Sequence, residues 1–216
     1  MKTRNRNFFN IKNGFTLAEV LITLVIIGVI AALTIPTMVN NLQRNELRSQ
    51  FKKAVSLSSQ AVQKMKTDYG DTIYTQGTSD LETYNDFVEK FKSYFAIACD
   101  GNTCVDLDKY KTIKKTSAVS SIYNYFKNCF IAQDGMLFCF NRGGATHDMY
   151  VFIDVNGLKK PNVFGYDTFG FDVNLDNQIL VPSVYWRCNA AFADTMDGLG
   201  CSRNATYDAN YFKNLP

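Results

Sequence analysis

The chain has 216 residues, which is enough for one globular domain and an appendage. Apolar residues make up 46% of it and charged residues 20%, a balance that excludes a disordered or collagenous chain. The net charge is +3, but residues 1–14 carry four basic and no acidic side chains, so the remainder is near neutral. The bulk of the chain therefore lacks the dense positive charge of most nucleic-acid-binding proteins.

Residues 20–43 contain no charged side chain, and their apolar stretch is long enough to cross a bilayer. The mean hydropathy of the whole chain is only −0.14, which excludes a protein with many membrane spans. Basic residues before the stretch first suggest a secretory signal peptide. Two features argue against an ordinary one: the apolar run is too long, and no small-residue cleavage site separates it from Asn40 and Asn41.

The same helix is expected to continue beyond the apolar stretch. Between residues 45 and 65, residues that suit a buried face recur at alternating steps of four and three: Leu47, Phe51, Ala54, Ser58, Ala61 and Met65. We therefore predict one helix over about residues 15–68, with a transmembrane half at 15–39 and an amphipathic half after it. Pro36 removes a backbone hydrogen bond, so a bend or local melting is expected near residues 32–36, with Gly28 as a second weak point.

Glu19 is the exceptional residue of the apolar segment. A carboxylate in hydrocarbon costs several kcal/mol unless it is paired. One interpretation is a charge at the helix end that reaches the membrane interface. The other is a functional carboxylate that needs a partner.

The motif Gly14-Phe15-Thr16-Leu17-Ala18-Glu19, followed by a long apolar run, resembles the prepilin signature of type IV pilins and type II secretion pseudopilins. The resemblance covers residues 10–40 and implies that a prepilin peptidase removes a basic leader, residues 1–14, by cutting after Gly14. The new first residue, Phe15, would then be N-methylated. Glu19 would neutralise the α-amino group of a neighbouring subunit's first residue during filament assembly. Since both charges are costly to bury alone, such a pair would also set the register between subunits.

The resemblance also implies a location and partners. The protein would be a single-pass protein of the bacterial inner membrane before it enters a helical filament with other pilin-like subunits, through an assembly platform. Cytoplasmic segments beside a membrane span usually carry an excess of Lys and Arg. Here basic residues lie on both sides of the apolar run, so this rule does not decide which end of the helix is cytoplasmic. The leader motif and the cysteines together place the C-terminal domain outside the cytoplasm. Nucleic acid is not expected as a partner, and no cofactor is expected.

The remaining residues, 69–216, are predicted to form a globular α+β domain. Apolar spacing predicts a helix over about residues 80–98, and the pattern of residues 129–140 predicts a hairpin. Residues 149–154 and 178–182 are further strand candidates. The expected fold is α+β and pilin-like, with a long N-terminal helix packed on the apolar face of a small antiparallel sheet.

The chain has six cysteines, all of them outside the apolar segment, and an even number in an exported domain indicates disulfides. Local pairing is expected: Cys99–Cys104, Cys129–Cys139 and Cys188–Cys201. The alternative is a zinc site, but no C-x-x-C motif is present and His147 is the single histidine.

Residues 154–167 form a turn-rich stretch in which Asp154, Asn156, Asn162 and Asp167 supply oxygen atoms suited to calcium. The resemblance adds weight, because some pseudopilins bind calcium. Lysines at 159 and 160 and the failure of EF-hand spacing argue against a metal. We favour a structural connection built on Asx turns and assign no metal.

No common catalytic motif is present, so an enzyme is not expected. The leading hypothesis is a structural subunit, a minor pilin or pseudopilin of a type IV pilus or a type II secretion pseudopilus. One alternative is a minor pilin at a filament tip that binds DNA or a surface ligand. Another is a single-span periplasmic protein with a different function. Residues 40–66 have a net charge of +5 and residues 67–216 of −5, which would help adjacent subunits to find their register.

Overall fold

The computed structural model describes residues 14–70, 81–116, 119–142, 149–174, 179–188 and 196–215. The chain divides into two compact units, Met1–Leu42 and Gln43–Pro216. The division falls within one helix, α1 (Leu17–Tyr69), which is α-helical throughout its 53 residues. The two ends of this helix contain very different side chains: those near the N-terminus are exposed and apolar, whereas those after residue 46 include a buried stripe.

The second unit contains a six-stranded antiparallel sheet in which neighbouring strands are consecutive in the chain. The strands are β1 (Ile97–Asp100), β2 (Lys127–Ala132), β3 (Leu137–Asn141), β4 (Met149–Asp154), β5 (Thr168–Asn174) and β6 (Ile179–Pro182). The shorter helices are α2 (Leu81–Lys92), α3 (Val119–Tyr125) and α4 (Ser202–Tyr207). Together with α1 they give the α+β, pilin-like arrangement that the sequence predicts: a long N-terminal helix followed by a small antiparallel sheet.

One face of the sheet packs on α1 and α2. The buried stripe of α1 consists of Leu47, Phe51, Ala54, Ser58, Ala61, Val62 and Met65, which contains every position that the sequence periodicity predicts. Phe91 of α2 is fully buried and makes ring contacts with Phe138 and Phe140 of β3, with centroids 5.8 and 5.3 Å apart. Phe51 contacts Phe169 of β5 edge-on at 4.7 Å. Aromatic rings therefore form most of the contact between the helices and the sheet.

The other face of the sheet is also covered. Side chains alternate between the faces of a strand, so Leu137 and Cys139 point away from the face that Phe138 and Phe140 line. They belong to a second apolar cluster with Tyr110, Phe126, Phe152, Phe164 and Leu199. This cluster explains why every residue of β4 is buried. The sheet is thus a middle layer between two cores, whereas the sequence predicts only the core against the long helix.

Two boundaries differ from the sequence prediction. The helix expected over residues 80–98 ends as α2 at Lys92, and the first strand begins at Ile97. Ile97 lies directly opposite Ala132 of β2, and this pairing gives residues 97–100 hydrogen-bond partners that a helix would not use. Tertiary pairing thus overrides a helical apolar pattern that was set by Phe87, Phe91 and Phe95.

The C-terminal segment packs back against α1. Phe212 is buried with its ring 5.5 Å from that of Phe51. The Arg44 guanidinium donates to the carbonyl oxygens of Lys213 and Leu215, at 3.0 and 2.6 Å. A cation on the last carbonyls of a helical turn satisfies acceptors that have no intrahelical partner. Arg44 therefore binds residues 213–215 to the part of α1 that belongs to the second unit.

Candidate site for processing and assembly

The N-terminal end of α1 presents the residues of the prepilin-like motif. Gly14, Phe15 and Thr16 precede the first helical residue, Leu17. The Phe15 side chain is 89% exposed, and among the described residues nothing lies within 4 Å of the position that a Cβ would take at Gly14. The bond between Gly14 and Phe15 therefore lies outside the helix and is not covered by the residues that follow it. The basic residues before position 14, including Lys2, Arg4, Arg6 and Lys12, lie outside the described residues.

Glu19 takes part in a capping box with Thr16. One carboxylate oxygen, Oε2, accepts a hydrogen bond from the Thr16 amide at 2.8 Å and another from the Thr16 hydroxyl at 2.7 Å. In return, the Glu19 amide donates to Thr16 Oγ1 at 3.2 Å. This reciprocal pattern satisfies backbone donors that every helix leaves free at its N-terminus. It also explains why the helix begins at Leu17.

The capping box gives Glu19 a local partner in the isolated chain. Both Thr16 donors lie on the C-terminal side of the bond between residues 14 and 15, so a cut there leaves them on the same chain as Glu19. All three polar groups lie at one end of the helix, where the macrodipole also favours a negative charge. The site can therefore hold a carboxylate at low cost and present it to an incoming cation.

The helix after Glu19 has the properties of a membrane span. It contains an 18-residue window of mean hydropathy 2.6, none of which is buried within the protein. Its threonine hydroxyls are satisfied within the helix: Thr23 donates to the Val20 carbonyl at 2.9 Å, and Thr34 donates to that of Ile30 at 2.9 Å. Hydrocarbon offers no hydrogen-bond partners, so internal satisfaction of this kind is what an anchor requires.

Pro36 lies inside α1, and the helix continues through it. Of the two outcomes predicted near residues 32–36, a bend or local melting, melting does not occur in this structure, and the bend stays a prediction. Proline removes a single amide donor, and the turns on both sides of it remain helical. Gly28, the second predicted weak point, is also helical.

The six cysteines form three disulfides, Cys99–Cys104, Cys129–Cys139 and Cys188–Cys201. These are the three pairs that local pairing predicts. Cys129–Cys139 joins β2 to β3 within the second core, where both sulfur-bearing residues are buried. Cys188–Cys201 ties the segment after β6 to the start of α4. All three bonds lie in the second unit and are compatible with an oxidising compartment.

Of the four oxygen-bearing residues considered for calcium, the two aspartates accept hydrogen bonds that shape the chain between β4 and β5, whereas the buried side-chain oxygens of Asn156 and Asn162 have no hydrogen-bond partner among the described residues. Asp167 accepts from the amides of Asn162 and Val163, at 2.7 and 2.8 Å. Asp154 accepts from the Asn156 amide at 3.2 Å and from the Tyr110 hydroxyl at 2.7 Å. These contacts are those of a structural Asx-turn connection. Among the described residues, no group of three or more His, Cys, Asp or Glu side chains is placed to hold a metal ion.

The two buried carboxylates of this connection titrate abnormally. Burial is the main cause that raises the pKa of Asp154 well above its ordinary value, and the negative charge of Asp167 raises it further. Burial also raises the pKa of Asp167 to about 6, although its hydrogen bonds from Val163 and Asn162 oppose the change. Desolvation thus outweighs the hydrogen bonds at both carboxylates. The folded state therefore favours the protonated forms of both carboxyl groups, so this connection is more stable at lower pH.

Sequence reasoning identified Glu19 but missed its partner. The signal was present, because Thr16 and Glu19 have the spacing of a capping box ahead of an apolar run. Tyr110 was also missed, and no local pattern identifies it, since Asp154 is 44 residues away in sequence. His147, the lone histidine of the zinc alternative, lies outside the described residues.

An aromatic cluster lies on the segment after β6. The single tryptophan, Trp186, contacts Tyr125 and Tyr185 with ring centroids 4.9 and 4.8 Å apart. Its backbone lies against Gly200, where a Cβ would come within 1.8 Å of the Trp186 carbonyl oxygen, so only glycine fits there. Tyr185 is 53% exposed. The cluster therefore combines close ring contacts with one well-exposed aromatic side chain, and the basic Arg187 follows it directly.

Comparison with known proteins adds one positive finding. Residues 10–35 match the family model described as the prokaryotic N-terminal methylation motif. No match was found among curated proteins, and none among solved structures. The matched range contains the open Gly14–Phe15 bond, the Thr16–Glu19 capping box and most of the apolar helix. The chain therefore carries the N-terminal methylation signature of type IV pilins and pseudopilins.

Proposed function

We propose that this protein is a structural subunit of a type IV pilus or a type II secretion pseudopilus, most closely resembling a minor pilin or pseudopilin. The observation that carries the proposal is the methylation motif at residues 10–35, joined to an apolar helix of which no residue in the most apolar window is buried. In this view residues 1–14 are a leader, residues 15–68 the long helix and residues 69–216 the globular domain. Gly14 is the last residue removed, and Phe15 becomes the methylated N-terminus.

Assembly then proceeds by exchange of the Glu19 partner. In the membrane-inserted subunit, Thr16 holds the Glu19 carboxylate through two hydrogen bonds. In the filament, the α-amino group of a neighbouring subunit's Phe15 takes that place. The Thr16 donors are neutral groups, whereas an ammonium group adds the attraction of a full positive charge to its hydrogen bond with the carboxylate. The exchange favours only the register in which both buried charges are compensated.

The protein in this role has no catalytic step of its own. A prepilin peptidase processes it in the bacterial inner membrane, and an assembly platform delivers it into the filament with other pilin-like subunits. The C-terminal domain, with its three disulfides, lies outside the cytoplasm. Work is supplied by a separate motor ATPase, as in the families that the signature represents.

Processing is the direct test of the proposal. We expect the protein extracted from membranes that contain the peptidase to begin at Phe15 and to carry one added methyl group, as measured by N-terminal sequencing and intact mass. A matched control replaces Gly14 with isoleucine, which fills the open space at the cut and should leave the leader attached. A mature protein that begins at Met1 would reject the proposal and favour an ordinary single-span periplasmic protein.

A further inference from the structure

The first residues of the second unit carry positive charge directly after the anchor. Arg44 and Arg48 lie four residues apart on α1, so their side chains share one face of the helix. The acid between them, Glu46, is rotated by about 160° from both around the helix axis. Its carboxylate accepts a hydrogen bond from the Gln50 side-chain amide at 3.0 Å. Glu46 therefore does not neutralise the face that the two arginines occupy.

A tight turn in the second unit presents further positive charge. Residues 111–116 contain three lysines and no acidic residue. The Thr112 amide donates to the Thr116 carbonyl at 2.9 Å, and the two threonine hydroxyls lie 2.7 Å apart, so the turn is closed at its base. Lys114 and Lys115 lie within the turn, and both are exposed.

Tyr166 connects this turn to Arg44. The Lys115 ammonium lies 5.4 Å from the centre of the Tyr166 ring. Burial raises the pKa of Tyr166, and the positive charge of Arg44 opposes that change, so Arg44 also lies within electrostatic reach of the tyrosine hydroxyl. Arg44 donates to the carbonyl oxygen of the exposed Lys213, a neutral group that leaves the arginine charge uncompensated. These side chains are called the basic face: Arg44, Arg48, Lys114, Lys115 and Lys213.

The charge of the basic face is not neutralised within the part of the chain that the structure describes. None of its five side chains forms an ion pair with a described acidic residue. Asp167 follows Tyr166 and Asp197 accepts a backbone hydrogen bond from the turn, but both aspartates are buried. From α4 onward, Asp208 is outnumbered by Arg203 and Lys213. The basic face therefore requires an anionic partner from outside these residues.

The length of chain between the anchor and Arg44 places the basic face close to a membrane. With the anchor inserted as proposed, Val39 is the last residue of the apolar span, and Arg44 follows five residues later. Because α1 is helical here, five residues correspond to about 7.5 Å. The headgroup layer on each side of the hydrocarbon is about 5–7 Å deep. Arg44 consequently lies at about the depth of the lipid phosphates, and Arg48 lies one turn beyond it.

The charges of the basic face come from three separate segments of the chain, namely α1, the turn at 111–116 and the C-terminal segment. They are spread over a surface and do not converge on a point, so they suit many mobile anions better than one bound ion. Anionic phospholipids form such a surface, and they attract basic clusters within about 10 Å of it. The membrane next to the anchor is also present before any other subunit arrives.

We propose that the basic face binds the headgroup phosphates of anionic phospholipids while the anchor lies in the membrane. The lysines contribute ammonium groups on flexible stems, and Arg48 contributes a guanidinium that can bind a phosphate through two donors. Arg44 adds its charge while its N–H groups hold the C-terminal carbonyls. The inference rests on the anchor in the proposed function, but it does not require incorporation into a filament.

Lysine reactivity in vesicles tests the contact. The full chain is reconstituted at low protein density in phosphatidylcholine vesicles, or in phosphatidylcholine and phosphatidylglycerol mixed three to one. It is then methylated with formaldehyde and a borane reductant and analysed by mass spectrometry. Formaldehyde crosses membranes, so both orientations of the chain are read, and methylation keeps the lysine charge. Lys114, Lys115 and Lys213 should react at least about threefold more slowly in the anionic vesicles, and high salt should remove the difference.

Lys64 is the internal control for this measurement. It is exposed on α1, twenty residues or about 30 Å beyond Arg44, and should react equally in both kinds of vesicle. Arg48→Glu should lower the protection of Lys114 and Lys115 at least about twofold. Lys64→Glu, the matched charge reversal on the same helix, should leave their protection unchanged. Trp186 fluorescence in urea shows whether both variants fold like the parent protein.

The possible failures are separable. Flotation of the chain with the vesicles is measured first, and a chain that does not float would overturn both the anchor and this inference. If the chain floats but its lysines react equally in both kinds of vesicle, the inference is overturned and the proposed function stands. Protection that rises with protein density and ignores lipid charge would identify a protein partner and would also overturn it. Equal protection of Lys64 would show a general surface effect, with the same consequence.

Discussion

The two halves of α1 share one backbone structure but have opposite side-chain environments. Over residues 47–65, seven side chains are buried against the sheet and α2. In the apolar window near the N-terminus, none is buried, although the hydropathy is far higher. The more apolar half is thus the one that the protein does not cover. The comparison shows that the second unit is stabilised by its own packing, whereas the first needs a hydrocarbon or protein environment from outside the chain.

Loss of Glu19 should have the largest effect on the anchor half. Glu19→Ala is expected to leave insertion and processing intact but to reduce filament incorporation at least tenfold, because the neighbouring α-amino group loses its partner. The measurement is the ratio of the mature subunit in sheared filaments to that in membranes. Thr23→Ala, which removes another intrahelical hydrogen bond of the anchor, is the control and should incorporate normally. Equal incorporation of both variants would contradict the assembly role.

A pair of truncations tests the contrast in packing. Phe91→Ala should lower the free energy of unfolding of the second unit by about 3–5 kcal/mol, since Phe91 is fully buried among aromatic rings. Ile26→Ala removes a large apolar side chain from the anchor, where 52% of Ile26 is exposed, and should leave that free energy unchanged. Urea unfolding followed by the fluorescence of Trp186 measures both. A similar loss in both variants would show that the anchor contributes to the stability of the second unit.

The buried carboxylates predict a smaller, pH-dependent effect within the second unit. The pKa values of Asp154 and Asp167 are raised in the folded protein, so folding favours their protonated forms. For Asp167 the contribution to stability is complete below about pH 4, near the pKa of an unfolded aspartate, and is lost as the pH rises through about 6. The contribution of Asp154 is lost as the pH rises through its own raised pKa. The free energy of unfolding should therefore fall over this interval.

Urea midpoints measured from pH 4 to pH 7 provide the check. Asp154→Asn removes one titrating group, so its profile should be flatter than that of the parent protein. Asp208→Asn, at an exposed carboxylate outside this connection, serves as the control. Parallel profiles for all three proteins would exclude the carboxylate pair as the source of the pH dependence.

Local patterns were sufficient for the long helix and the covalent links. The buried stripe of α1 follows from its apolar spacing, and the three disulfides follow from the short separations between their cysteines. The end of α2 and strand β1 were not predictable in this way. The strand exists because Ile97 pairs with β2, a contact that no local pattern encodes.

In the candidate site, too, local patterns revealed the residues of one short segment but not the contacts between distant segments. Glu19 is conspicuous in sequence because a charge in an apolar run is costly, and the motif around it is short and contiguous. The aspartates at 154 and 167 were visible as oxygen ligands, yet their actual partners include a tyrosine from a distant turn. Hydrogen bonds between residues far apart in the chain are decided by the fold, so the bond from Tyr110 to Asp154 could be found only in the structure.

The sequence by itself therefore determined the long helix with its apolar half, the methylation motif, the cysteine pairs and the α+β class, because each depends on residues that are close along the chain. Only the tertiary structure decided that the sheet has a core on both faces, that Arg44 binds the C-terminal carbonyls and that Lys115 lies over the Tyr166 ring. Each of these depends on distant segments that are brought together by burial of apolar surface, which is non-directional and leaves no local signature in the sequence.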